Sequence, residues 1–182
     1  MLEKLKSKLI ERKLNHIRKD CEHVVRACSI SSAKKIGILY EATEESQFNS
    51  VRNVLANLQK DVSYVKALGF SDTKELADFH LQPLDFSFFC RKDLNWYGIP
   101  SEEAVADFVN TDFDILLCLN LTDKNPLTYI MSVSKASFKV GLFSDLNSRY
   151  LDMMVNLDEE NMSESELAKQ IIYYLENINY EQ

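Results

Sequence analysis

Glycine and proline are scarce, with 4 and 3 copies in 182 residues. The glycines are Gly37, Gly69, Gly98 and Gly141, too far apart for a dinucleotide fingerprint or a phosphate-binding loop. Collagen-like and low-complexity chains are excluded by the same scarcity. Histidine occurs three times, as His16, His23 and His80. The four cysteines, Cys21, Cys28, Cys90 and Cys118, contain no C-x-x-C pair and no zinc-finger spacing, so no metal site is expected. The motif G-x-S-x-G is absent, and no histidine falls where it would serve a strand-end nucleophile. No catalytic residue and no cofactor is assigned, and the reading leans away from an enzyme. No apolar run approaches the ~18–20 residues of a membrane span. Met1 to Asp20 is densely charged without an apolar core, so no secretory signal peptide is expected. Unpaired cysteines then fit a reducing cytoplasm.

What the sequence does have is a soluble globular composition, 46% apolar and 27% charged. The length suits one α/β domain and is short for two. Net charge is −7 but unevenly spread: residues 1–35 carry +6 and residues 36–182 carry −13. The acidic body argues against nucleic acid, whose binders cluster cations to release counterions. The basic leader is either a solvated helix face or a feature that attracts an acidic partner, an anionic membrane or RNA.

Residues 2–28 read as one basic amphipathic helix. Ile10, Leu14, Ile17, Cys21, Val24 and Cys28 follow a 4-3-4-3-4 spacing and share one stripe. That stripe either lies against the chain's own domain or meets another chain or a membrane surface. The organisation is therefore a leader over 1–30 and a single domain over 31–182. Six strands are expected, at 36–40, 62–69, 85–91, 114–119, 138–143 and 153–157. Helices fill 44–59, a segment from Ser101, 125–134 and 163–178. Thr43 and Asn125 are the expected N-caps, with Pro126 at the first helical position, and Ser163 with Glu166 forms a capping box. The segment 76–84 has no clear pattern, and a hairpin at the third strand remains open. Alternating strands and helices predict a Rossmann-like α/β fold. Its sheet is mainly parallel, with the order 3-2-1-4-5-6 and helices on both faces.

In such a sheet ligands bind beyond the carboxyl ends of the strands, where the strand order reverses. The candidate crevice lies between the first and fourth strands. Tyr40, Glu41 and Thr43 line it from one loop, Asn120, Thr122 and Asp123 from the other, and Ser144 from the fifth strand. Glu41, Glu44 and Glu45 in a loop without glycine oppose a phosphate. Glu41 and Asp123 would converge only if the fold brings them together, since no spacing rule requires it. Trp96 and Tyr97, inside DLNWYGIP at 93–100, form either an aromatic recognition loop or a plug at the domain edge.

These stretches carry a resemblance. IGILYEAT at 36–43, KDLNWYGIPSEEAV at 92–105, FDILLCLN at 113–120, PLTYIMSVSKASFKVG at 126–141 and YYLENIN at 173–179 resemble a small bacterial family of unknown function. The resemblance covers most of residues 36–179 and implies no activity. FDILLCLN followed by SVSKASFKVGLF is also similar to the amino-terminal half of heptosyltransferase-type glycosyltransferases. Those enzymes need a second Rossmann-like half, so this similarity implies a scaffold alone.

Two functions follow as expectations. The first is a cytoplasmic, non-enzymatic interaction or ligand-binding module. Its partner is a protein or a second copy, met through the leader residues Ile10, Leu14 and Ile17 or through Trp96 and Tyr97. The second is a sugar- or nucleotide-related enzyme acting at the crevice.

Overall fold

The computed structural model describes residues 23–81 and 84–177. Six strands form one sheet: β1 (Lys35–Glu41), β2 (Tyr64–Ser71), β3 (Phe86–Cys90), β4 (Ile115–Cys118), β5 (Phe138–Leu142) and β6 (Met153–Val155). Their order is β3-β2-β1-β4-β5-β6, and every neighbouring pair is parallel. The fold is therefore α/β and Rossmann-like. Strand β3 runs parallel to β2, which removes the hairpin alternative.

Four α-helices among the described residues cover the sheet: α1 (Glu45–Leu58), α2 (Glu102–Val109), α3 (Asn125–Val133) and α4 (Glu164–Asn177). Side chains of successive strand residues point to opposite faces, so each central strand feeds two cores. Ile115, Leu117 and Leu119 join Ile36, Ile38 and Tyr40 against α1 and α4, with Val51 and Leu55 from α1 and Leu167 and Ile171 from α4. Leu116 and Cys118 join Leu39 against α2 and α3, with Val105, Phe108, Leu127 and Ile130. Strands buried on both faces need no polar alternation, which is why β1 and β4 read as unbroken apolar runs.

The structure differs from the sequence reading at several helix ends. The N-cap of α1 is Glu44, whose carboxylate accepts from the Gln47 backbone while Gln47 Oε1 accepts from Glu44 N–H. Thr43 is not the cap, because its hydroxyl is used in the loop described below. The N-cap of α3 is Lys124, not Asn125. At α4 the expected box is half present: Ser163 Oγ accepts from the Glu166 N–H at 3.2 Å, while Glu166 Oε1 accepts from Gln170.

The expected leader helix falls mostly outside the described residues. Its final part, 23–28, has no helical structure. The Arg26 N–H instead donates to Ser137 O at 3.0 Å, and His23 Nε2 lies 2.9 Å from both carboxylate oxygens of Asp152. A backbone bond to the body and a side-chain hydrogen bond outweigh helical periodicity in these residues. The unclear segment 76–84 contains a short 3-10 turn, Asp78–Leu81. It is latched by His80, which is buried. Nδ1 accepts from Ala77 N–H at 2.9 Å, so Nε2 carries the proton and donates to Ala42 O at 2.7 Å.

Candidate functional site: the carboxyl edge of the sheet

Parallel register brings several loops to one edge. Glu41 ends β1 beside Phe70 of β2, and Ser71 ends β2 beside Cys90 of β3. Leu39 sits beside Cys118 of β4. The residues that follow these ends, Thr43, Asp72, Arg91, Thr122 and Lys124, are thereby gathered over the point where the strand order reverses.

They form one connected polar network. Arg91 Nε donates to Asp72 Oδ1 at 2.6 Å, and Lys124 Nζ donates to Asp72 Oδ2 at 3.1 Å. Lys124 Nζ is also 3.5 Å from Glu41 Oε1. The Thr122 hydroxyl donates to Glu41 Oε2 at 3.0 Å and the Thr43 hydroxyl to Oε1 at 3.3 Å. Thr43 Oγ1 in turn accepts from the Asp72 N–H at 2.9 Å. Two carboxylates and two cations thus neutralise one another across four loops. Desolvation works to raise the Asp72 pKa, but hydrogen bonds from Arg91 and Lys124 and their charges prevail, holding it below the usual carboxylate value. The hydrogen bond to Asp72 raises Lys124, against partial desolvation.

The sequence candidates divide into three groups. Glu41, Thr43 and Thr122 belong to this network. Asp123 and Ser144 form a separate pair, with the Ser144 hydroxyl donating to Asp123 Oδ1 at 3.2 Å. Glu41 and Asp123 therefore have different hydrogen-bond partners. Tyr40 and Asn120 lie beneath the edge. Tyr40 is fully buried, so it does not line an open crevice. Its hydroxyl has no hydrogen-bond partner among the described residues. Burial first, and the nearby Glu164 charge second, push this phenol far above its ordinary range. Asn120 is buried, with Nδ2 donating to Thr122 O at 3.2 Å and Oδ1 unpartnered.

Sequence reading missed Asp72, Arg91 and Lys124. Each sits just past a strand end or just before a helix, and that position was the available signal. None of the three lies in a local motif.

No activated nucleophile is apparent among the described residues. Burial pushes the Cys118 thiol up to about 12, which keeps it protonated and unreactive at neutral pH. No group of three or more His, Cys, Asp or Glu among the described residues is placed to hold a metal ion.

The aromatic loop is separate from this edge network and firmly held. Asn95 Oδ1 accepts from Tyr97 N–H at 3.0 Å and Ile99 N–H at 3.1 Å, and Asn95 N–H donates to Ile99 O at 2.8 Å. Gly98 supplies the positive φ of 83° that closes the turn. Trp96 is 60% exposed and its ring centroid is 3.8 Å from that of Tyr97, which is only half-buried. The loop displays the tryptophan instead of burying it. Ile10, Leu14 and Ile17 lie outside the described residues.

A model for a family of unknown function, DUF6913, matches residues 6–178. The chain belongs to this family. The match spans the whole sheet, both loops of the crevice and the aromatic loop. No curated protein and no solved structure matches. The expected resemblance to a family of unknown function is thereby established, while the glycosyltransferase similarity gains no support. No helix among the described residues is long and apolar enough to cross a membrane.

Proposed function

We propose that this DUF6913 member is a cytoplasmic, non-catalytic interaction protein that uses the α/β sheet as a rigid scaffold. One observation carries the reading: the edge where a Rossmann-like sheet holds its ligand is occupied by the chain's own ion pairs. Glu41, Lys124, Asp72 and Arg91 satisfy one another there. A ligand phosphate would have to displace Asp72 from two cations and sit near Glu41. What the molecule presents outward is an exposed tryptophan on a stiff loop, and a rigid aromatic anchor is the residue type on which interfaces concentrate their energy. The partner is a protein, met through Trp96 and Tyr97 and through the basic leader that carries Ile10, Leu14 and Ile17.

The test pairs two measurements on the full chain. Calorimetry with NAD, ATP and a nucleotide sugar is expected to give no saturable heat that depends on this edge. Affinity purification from the native source is expected to recover a protein whose yield falls when Trp96 is changed to Ala. Saturable nucleotide binding that Lys124→Ala or Glu44→Ala alters would instead establish the crevice as a working site and sink the proposal.

A further inference from the structure

The face around the aromatic loop carries charge of one sign. The hairpin 94–100 is closed by an antiparallel bridge between Leu94 and Pro100 and by the Ser101 N–H, which donates to Asp93 O at 2.7 Å. Helix α2 starts at the next residue, so Glu102 and Glu103, both exposed, stand at the foot of the hairpin that lifts Trp96. Acids in a first helical turn complement the positive helix end. That local role leaves both carboxylates at the surface, and neither has an ion-pair partner among the described residues. The two cations just ahead of the loop are engaged elsewhere, Arg91 by Asp72 and Lys92 by Glu75. From Asp93 to Asp123 the chain holds no Lys, Arg or His.

We propose that this face receives a basic, extended segment of another protein, with an arginine laid on Trp96 and a neighbouring cation on Glu102 and Glu103. The proposal rests on the reading of Trp96 as an interaction anchor and names what that anchor meets. Tyr97 packs against one side of the indole, with ring centroids 3.8 Å apart, yet Trp96 stays 60% exposed. An indole face is the strongest aromatic partner for a cation, and a guanidinium can both stack on it and bond to a carboxylate. The loop tip lies on the order of 10 Å from the two glutamates, about three residues of extended chain. One segment therefore spans both. An apolar partner would have to desolvate two unpaired carboxylates, a penalty that a cation relieves. An acidic segment or a nucleic-acid phosphate would be repelled.

Trp96 is the only tryptophan, so its emission in the full chain reports this surface alone. The protein is titrated with a short peptide of alternating arginine and glycine, and with the same peptide carrying glutamate in place of arginine. The arginine peptide is expected to give a saturable change in emission and the glutamate peptide none. Glu102→Gln with Glu103→Gln should weaken the arginine peptide by about threefold, the scale of exposed ion pairs. Caesium should quench Trp96 more strongly than iodide, each taken relative to free tryptophan amide, and the double variant should narrow the gap. No saturable change with the arginine peptide, equal responses to the two peptides, or equal quenching by the two ions overturns the proposal. So does a change in assembly mass in the double variant, which would place a second copy on this face. Native capture that falls with Trp96→Ala but is indifferent to the double variant would overturn the cationic partner and leave the interaction reading standing. Capture indifferent to Trp96 would instead overturn that reading.

Discussion

Tyr40 carries a hydroxyl that no described group receives, in a side chain with no exposure to solvent. A buried, unpaired hydroxyl costs stability relative to a phenyl ring of the same shape. Tyr40→Phe is therefore expected to raise the urea midpoint, by an amount worth about 1 kcal/mol, with an unchanged slope. Leu116 shows the reverse case. It is fully buried in β4, and Leu116→Asp would place an unpartnered carboxylate in the core between the sheet and helices α2 and α3. That variant should lose its cooperative melting transition, and a soluble mutant melting like the wild type would refute the central placement of β4. Two glycines separate steric from conformational constraint. A Cβ on Gly141 would lie 2.8 Å from the Cys118 carbonyl oxygen, part of the rigid β4 backbone. A Cβ on Gly98 would meet nothing within 4 Å, leaving only the cost of its positive φ. Gly98→Ala should cost about 1 kcal/mol and Gly141→Ala more, by chemical denaturation.

At the scale of elements, the carboxyl-edge network ties four loops together through opposite charges. The folded pKa of Asp72 is depressed, so its contribution to stability is whole above the unfolded value, near pH 4. It is lost as pH falls through the lower folded value. Asp72→Asn should flatten the acid limb of the stability–pH curve while leaving the neutral region less affected, and a limb identical to the wild type would deny the network any role. The strands of this sheet were legible because burial on both faces leaves plain apolar runs such as ILLC in β4, and the alternation with helices fixed their order. The helix caps were less legible. The Thr43 hydroxyl is a good cap by type, but it was taken by Glu41 and Asp72, which lie two residues and 29 residues away. The same holds for the site. Its location followed from topology, yet Asp72, Arg91 and Lys124 meet only through the register of β2, β3 and β4, which no local pattern encodes. The end of the leader misled for a related reason, since a helical stripe through Cys28 carries no sign of the Ser137 carbonyl that claims Arg26.

Taken as a whole, the molecule sets a basic leader against an acidic body. The six strands of the described residues fall within residues 35–155. Deleting residues 1–28 should accordingly leave the sheet folded, with helical and strand circular dichroism retained, while light scattering shows altered association, either a lower oligomeric state or aggregation through an exposed apolar patch. A truncated chain that is folded and identical in assembly mass to the full protein would show that the leader has no part in association. A truncated chain that does not fold would make the leader part of the core.

The strand order also has a consequence for how the chain is made. Strand β1 pairs with β2 on one side and β4 on the other, and the two partners lie far apart in sequence. At ordinary rates of synthesis, β4 leaves the ribosome on the order of 5–15 s after β1. For that interval the nascent chain can close β1–β2–β3 while the other edge of β1, with Ile36 and Ile38 on it, stays open to any strand that passes. Crowded translation is then the condition under which this protein is most exposed to mispairing, and slowing elongation between residues 41 and 115 would lengthen that window.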